Sequence, residues 1–529
     1  MRWNPPVELS AREALLCERL AKHRRFYRFL RLHRHTLFDE AFQAELAALY
    51  SDTPRGTPPL PPARLATAVL LQAYANVSDQ DAVQLAETDA RWQLALDCLG
   101  ASDAPFKKTT LVDFRARLVR AGAHHGLLRR TVELAKQTQG FGYKQAAALR
   151  IALDSVPREG AGKVEDTINL LGRALRMLAG TVAALCALEP QELYAQLRLP
   201  VLSAPSIKAG LDRHWAGDGE TEAAVHALYD QIGTLRRWMA TNLPTALLSR
   251  RAHDADVRLK RLMAQDLEDD EHGGVRIRQA VVPDRQISLC DPEMRHGRKS
   301  ETVRISGYKE YVALDLEHGL TLAAGVLPAN AAEALGADKL RPFVEQHGVV
   351  EELHLDRAFL SSAWARERAA KRLDAVVGRA PVVTNQGRYP KGAFTIDVEA
   401  RTVTCPAGKR VTYLERAAQF PDEVCEACPQ RASCQKPNAK SGRTILIAEN
   451  EPWLQAAAAA VRTPAGRAQL RQRVGVEHAL AHQVRRHGPR ARYFGVLKND
   501  FDACRAAAVN NLLVIDRRVR VAEAAQKAA

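Results

Sequence analysis

Through most of the first 140 residues, apolar positions recur at helical spacing, and Ala, Leu and Arg dominate. The Pro-rich stretch from Thr57 to Pro62 interrupts this pattern, and a helix is predicted from Ala63 to Ala75. A turn at Val77-Ser78-Asp79 follows, with Ser78 or Asp79 as the N-cap of the next helix. Thr109 or Thr110 starts another helix, leading into Leu111 to Leu118. The period then changes. Leu149, Ile151 and Leu153 alternate with Arg150, Ala152 and Asp154, the signature of a strand. From Val164 to about Gln265 the helical period returns, carried by Leu170, Leu171, Leu175 and Leu178. Strand signals fill Gln279 to Val326, and Tyr311–Asp315 and Leu320–Ala324 flank His318-Gly319 as a hairpin. A helix over Ala331 to Glu345 comes next, then a short strand Leu353-His354-Leu355-Asp356 and a helix through Trp364. One more strand falls at Val376-Val377 or at Pro381–Thr384. Trp453 to Arg517 reads as helical, followed by an Ala-rich tail expected to fray. No internal repeat is visible.

Composition narrows the class. The chain has 529 residues, 46% hydrophobic and 26% charged, which excludes a disordered chain, a collagen and a small disulfide scaffold. That length suggests roughly three or four domains. Lys and Arg number 76 against 61 Asp and Glu, a net charge of +15, which points to a polyanionic partner, most often nucleic acid. No run of 18 apolar residues predicts a membrane span, and the opening Met-Arg-Trp-Asn-Pro-Pro has no secretory h-region. The expectation is a cytoplasmic protein.

Candidate chemistry lies first in the acids. Asp154 and Asp356 each end an apolar strand, the end of an open sheet where ligands gather. Two neighbouring carboxylates stay ionised together only with a cation between them, and Asp and Glu oxygens suit Mg²⁺. The alternative is that each Asp ends a strand or caps the next helix, and Asp315 also lies on a predicted strand. Between Arg462 and Lys498 there are nine Lys and Arg, and Glu477 is the only acid among them. It is either an i,i+4 partner of Arg473 or a metal ligand beside bound phosphate. His354, two residues before Asp356, reads as a satisfied core histidine or as a support for that acid. The cluster Arg295, His296, Arg298, Lys299 reads as a DNA grip or as a solvated turn. Trp92, Trp215, Trp238, Trp364 and Trp453 read as packing residues.

Four of the nine cysteines cluster late: Cys405, then Cys425 and Cys428 as C-x₂-C, then Cys434. Four thiolates suit a tetrahedral structural Zn²⁺; an iron–sulfur cluster or unligated thiols are the alternatives. Four thiolates leave no open coordination position, so a hydrolase centred there is the weaker reading. Cys17, Cys98, Cys186, Cys290 and Cys504 sit among apolar residues and are expected to be buried and inert.

Several segments together resemble a bacterial insertion-sequence transposase of the DDE type. Ala152-Leu153-Asp154-Ser155-Val156-Pro157, with Gly162 and Glu165-Asp166-Thr167, is similar to that family's first-Asp motif. Asp291-Pro292-Glu293-Met294-Arg295-His296-Gly297-Arg298-Lys299 and Gly307-Tyr308-Lys309 resemble its second and third core strands. Leu353-His354-Leu355-Asp356-Arg357-Ala358-Phe359 resembles the second-Asp motif. Arg473-Val474-Gly475-Val476-Glu477-His478, Arg490-Ala491-Arg492-Tyr493-Phe494-Gly495 and Asn510-Asn511-Leu512 resemble the closing Glu motif. The pattern departs at Leu470 and Val484, where relatives often carry Tyr and Lys.

The resemblance implies an α/β RNase H-like core, a mixed five-stranded sheet with flanking helices, plus a helical N-terminal domain, a helical insertion and a small Cys-rich insert. The expected division is 1–140 (helical, DNA-binding or dimerisation), 141–163 (first strand and first Asp), 164–275 (helical insertion), 276–395 (core with the second Asp), 396–445 (Cys-rich metal insert), 446–516 (C-terminal helices with the Glu) and 517–529 (tail). It implies Asp154, Asp356 and Glu477 as catalytic ligands of two Mg²⁺ or Mn²⁺ ions. Cys405, Cys425, Cys428 and Cys434 are candidates for one Zn²⁺. Arg295, Arg298, Lys299, Arg473, Arg485, Arg486, Arg490 and Arg492 are the candidate DNA contacts. The expected partners are the element's ends and target DNA, bound by a homodimer at the nucleoid, with no membrane. The expected activity is DNA cleavage and strand transfer; a catalytically silent DNA-binding derivative is the alternative.

Overall fold

The computed structural model describes residues 2–51, 58–139, 141–143, 148–212, 219–243, 249–270, 273–299, 302–380 and 384–528. Trp215 and most of the Pro381–Thr384 strand candidate lie outside these residues.

A mixed sheet forms the centre. Its strands are β1 (Leu149–Glu159), β2 (Arg295–Arg298), β3 (Arg304–Asp315), β4 (Thr321–Pro328), β5 (Val350–His354) and β6 (Val376–Val377). β1 lies in the middle, antiparallel to β3 on one side and parallel to β5 on the other. β6 continues in parallel beyond β5, while β2 and β4 pair antiparallel with successive parts of β3. The sheet therefore has six strands rather than five, because the long β3 is served by two partners end to end. The predicted hairpin at His318-Gly319 is β3–β4, with Gly319 at φ +69°. Asp315, the third strand acid, belongs to that turn: it is buried and bonds His318 Nδ1 at 2.7 Å.

Helix starts follow local chemistry. Ser78 accepts from the Asp81 amide and Asp81 bonds back to the Ser78 amide, a capping box for helix Asp79–Thr88. The helix expected to start at Thr109 or Thr110 begins slightly earlier, at Lys108. The tail does not fray where expected, since one helix runs Val496–Ala528. Its first half carries buried Phe501, Ala507, Ala508, Leu512 and Ile515 and packs on helices Pro62–Ala75 and His124–Gln137 and on β4. Tertiary packing of that face sustains the long helix.

Three apolar clusters organise the chain. The largest joins the N-terminal helices, the central sheet and the C-terminal helix. A second fills the helical segment from Ile168 to Val275, including Leu170, Leu175, Val225 and Leu259. Helix Thr167–Leu185 is long and apolar enough to cross a membrane, but it supplies much of that cluster. The third, around Phe394, Val403, Phe420 and Ile445, holds the cysteine-bearing segment together.

Polar groups weld the N-terminal helices to the rest. Arg505, fully buried, donates to Gln72 Oε1 at 2.9 Å and to Asp502, while Arg115 clasps Asp79 at 2.5 and 2.7 Å. Asn511 accepts from the Thr321 amide and donates to the Thr321 carbonyl and Thr131 Oγ1, at 2.8, 2.8 and 2.9 Å. One side chain thus links the C-terminal helix, β4 and helix His124–Gln137. Asn511→Ala leaves these groups unpaired in the core and is expected to destabilise by about 1–3 kcal/mol in chemical denaturation. Asn510→Ala, one position along the same helix, serves as the control and is expected to cost less.

Candidate active site

The register of β1 against β5 creates the site. Ala152 pairs with His354 in parallel, so Asp154 and Asp356, each two residues farther on, arrive side by side on the same face. Asp154 stays within β1, half-buried; Asp356 follows β5 as the exposed N-cap position of a short 3₁₀ turn, Arg357–Phe359. Glu477 comes from helix Val474–His487, which packs Val476 and Leu480 inward against β1 and β3 and leaves Glu477 exposed. Asp356, Arg379, Arg473 and Glu477 line one pocket, with His354 and Leu470 in its wall.

Arg473 sits between two acids. Its guanidinium lies 3.3 Å from Asp154 Oδ2 and 2.8 Å from Glu477 Oε1. Glu477 is thus the i,i+4 partner of Arg473, near enough to Asp154 to act on its carboxyl. Burial pushes the Asp154 carboxyl above its ordinary range; Glu477 and Asp356 push the same way, and Arg473 and the Ser155 amide oppose them. Asp154 and Asp356 on neighbouring strands, with Glu477 on the helix beside them, offer the hard oxygen donors that suit a divalent cation. His354 is buried, and its Nε2 lies 2.9 Å from Glu352, whose carboxylate also takes Arg150 at 3.0 Å. Burial lowers the His354 pKa and Glu352 opposes it, leaving the ring packed behind Asp356.

Other motif residues build a clamp rather than a reaction centre. Asp291 is fully buried and accepts from Tyr308 Oη at 2.5 Å and from the Gly495 amide at 3.1 Å. Glu293 accepts from the Val496 amide at 2.8 Å. The Asp291–Glu293, Gly307–Lys309 and Tyr493–Gly495 segments thus meet at the start of the C-terminal helix. Gly162 fits against them because a Cβ there would lie 2.7 Å from Asp291 Cβ and Ser288 Oγ. Glu165 pairs with Arg173, and Asp166 caps helix Thr167–Leu185.

The basic residues divide into two groups. Arg298 and Lys299, near the β2–β3 turn, and Arg485 and Arg490 are exposed. Arg295 is not a free grip: it is buried, pairing with Asp284 at 2.6 Å and donating to the Pro292 and Met294 carbonyls. Arg486 lies over the Tyr74 ring at 5.2 Å, and Arg492 donates to Asn76 Oδ1 at 3.1 Å and to the Val77 carbonyl. These last two fasten the Glu477 segment to the N-terminal helices. Sequence spacing missed this because their partners lie about four hundred residues away. It also missed Arg379, which had no motif around it.

Cys405, Cys425, Cys428 and Cys434 line one small pocket beside Phe394 and Phe420. Burial raises the Cys434 thiol pKa, and the other three sulfurs add to it. The four sulfurs therefore gather around one pocket, close enough for three of them to act on the fourth. The chemistry of four soft donors fits Zn²⁺. Of the remaining cysteines, Cys17 and Cys504 are buried as expected, whereas Cys290 is exposed.

Two family models match the chain. One, described as "Transposase domain (DUF772)", covers residues 17–117, and the other, described as "Transposase DDE domain", covers 404–515. The second takes in the four cysteines, Glu477 and most of the C-terminal helix; Asp154 and Asp356 lie outside both. Comparisons with curated proteins and with solved structures return no match.

The raised Asp154 pKa has a defined consequence. A carboxyl whose folded pKa exceeds its unfolded one destabilises as pH rises between the two values, and the full penalty remains above the higher one. Asp154→Asn is therefore expected to raise the melting temperature of the protein in EDTA near neutral pH. The gain should disappear below the ordinary carboxylate range. Thermal denaturation across pH measures it, and a gain persisting in acid would trace the effect to packing instead.

Proposed function

The chain resembles an insertion-sequence DDE transposase at both of its ends, and from that premise we propose that it cuts DNA at element ends and joins them to target DNA. The observation carrying this reading is the β1–β5 register that sets Asp154 beside Asp356, with Arg473 linking Asp154 to Glu477. The strand order β4-β3-β1-β5-β6, antiparallel on one side of β1 and parallel on the other, supports an RNase H-like core. Two conjoined functions of the acids follow from their placement. Asp154, Asp356 and Glu477 would hold two Mg²⁺ or Mn²⁺ ions. Such ions supply an activated water and stabilise the leaving oxygen of a phosphodiester.

The chain's own residues would orient the DNA. Arg473 would balance the acids and hold Glu477 toward the pair, while Arg379, which lines the same pocket, would meet an incoming phosphate. Arg298, Lys299, Arg485 and Arg490 would contact the backbone and fix register without reading sequence. Hydrolysis would break a P–O3′ bond and leave a 3′-hydroxyl. In strand transfer that oxygen would bond to a target phosphorus as the target's own P–O3′ bond breaks. An element has two ends to cut, so we take a homodimer on DNA as the working assembly. The cysteine pocket would hold one structural Zn²⁺ and stiffen its segment.

Asp154→Asn, Asp356→Asn and Glu477→Gln should each abolish nicking of supercoiled DNA carrying the element ends, in Mg²⁺, while DNA binding in a gel-shift assay stays close to the parent. A variant that nicks at the parent rate removes that residue from the ligand set; binding without nicking by the parent itself would favour the silent derivative.

The exposed and the occupied arginines should also separate. Log K should fall with log[salt] at about −0.9 per phosphate contact. Arg485→Ala with Arg490→Ala is expected to flatten that slope by up to about two contacts. Arg486→Ala with Arg492→Ala should instead lower the melting temperature, because these two hold the N-terminal helices. Equal slopes for the first pair and the parent would remove it from the DNA surface.

A further inference from the structure

Away from both sites, the C-terminal helix meets the start of helix His124–Gln137 at three metal-binding side chains. Cys504 is fully buried, with Sγ 3.3 Å from His125 Nδ1 and 3.5 Å from the Ala324 carbonyl. One ligand atom from each of His124, His125 and Cys504 lies within 4.8 Å of the others. Consecutive residues at a helix start do not ordinarily face each other. Here their ring centroids are 4.3 Å apart, and the His125 ring stacks on Phe343 at 3.8 Å.

The decisive feature is His124. It is 2% exposed, and the Leu118 backbone is the one polar group that approaches its ring, so at least one ring nitrogen faces the interior without a partner. Buried polar atoms are nearly always paired, and an imidazole nitrogen left over in the core calls for another kind of partner. Burial lowers the pKa of both rings, that of His125 to about 3, and neutral imidazole is the form that binds metal.

We propose that His124, His125 and Cys504 form a buried site for a borderline divalent transition ion, Zn²⁺ foremost. Two imidazoles and a thiolate select such an ion over Mg²⁺. Bond lengths of 2.0–2.1 Å to nitrogen and 2.3 Å to sulfur place tetrahedral N and S ligands about 3.5 Å apart, close to the separation of His125 and Cys504. Binding forms two bonds from imidazole lone pairs and one from sulfur, and the Cys504 thiol proton leaves to solvent. The ion would pin helix His124–Gln137 to the C-terminal helix beside β4, tying the N-terminal helices to the sheet by a bond that the acid trio and the cysteine pocket do not supply.

The test uses the full chain carrying Cys405→Ser, Cys425→Ser, Cys428→Ser and Cys434→Ser, so that the cysteine pocket contributes no competing thiolate. The metal-free protein is titrated with Co²⁺. One equivalent should bind with a thiolate-to-cobalt charge-transfer band, and Zn²⁺ should bleach it and raise the melting temperature. Adding Cys504→Ala should remove the band. His124→Leu, which fills the same apolar space, should weaken Co²⁺ binding at least about tenfold with the far-ultraviolet circular dichroism unchanged. Absence of a charge-transfer band in the parent background overturns the proposal. So does a band that survives Cys504→Ala or, should that variant not fold, Co²⁺ affinity unaltered by His124→Leu; either result would leave a thiol–imidazole contact alone.

Discussion

The pairing of β1 with both neighbours is the constraint on which the rest depends. Ile151, Ala152 and Leu153 are fully buried, held antiparallel to β3 and parallel to β5. Side chains alternate across a sheet, so a slip of one residue would turn Asp154 into the opposite face and separate it from Asp356. The apolar run of β1 resists that slip because it would also expose the core face. Packing energy thereby fixes the distance between two like charges, an arrangement that is unfavourable by itself.

That unfavourable arrangement is offset locally. Arg473 reaches both Asp154 and Glu477, and helix Val474–His487 is anchored by features remote from the acids. Val476 and Leu480 press it onto the sheet, and the loop after it hydrogen-bonds to the end of β1, where Glu159 and the 489–491 segment exchange backbone bonds. Arg158 joins in, pairing with Glu310 at 2.6 Å and donating to the Gly488 carbonyl. Glu477 is therefore placed by a rigid frame although it is exposed. Arg473 holds its carboxylate on the Asp154 side of the helix.

The C-terminal helix gives the molecule its unity. It shares one core with the N-terminal helices and the sheet, so the segment up to residue 140 is not a loosely tethered module. Arg505, Asn511, Arg486 and Arg492 make the polar side of that junction. Movement of the N-terminal helices would strand buried donors, which opposes a hinge there. The helical segment around Leu175 and Leu259 and the cysteine-bearing segment around Phe420 have cores of their own.

The amino-acid sequence alone determined the periodic elements: the strand at Leu149–Leu153, the β3–β4 hairpin, the Ser78 cap and the helical stretch after Val164. Each depends on contacts between near neighbours in the chain, and periodicity records those directly. It also singled out Asp154, Asp356, Glu477 and the cysteine quartet as candidates, through strand ends, a lone acid among cations and C-x₂-C spacing. Tertiary structure decided which acids meet. Asp315 had the same strand-end look as the pair, yet its turn joins it to His318. Tertiary structure also decided which arginines remain free, since the partners of Arg295, Arg486 and Arg492 come from distant or unmarked segments, and it turned Cys504 from an inert core thiol into a neighbour of two histidines. The pairings of Asp154 with Asp356, of Arg486 and Arg492 with the N-terminal helices and of Cys504 with His125 span hundreds of residues, where the chain's local pattern carries no record of which atom will find which partner.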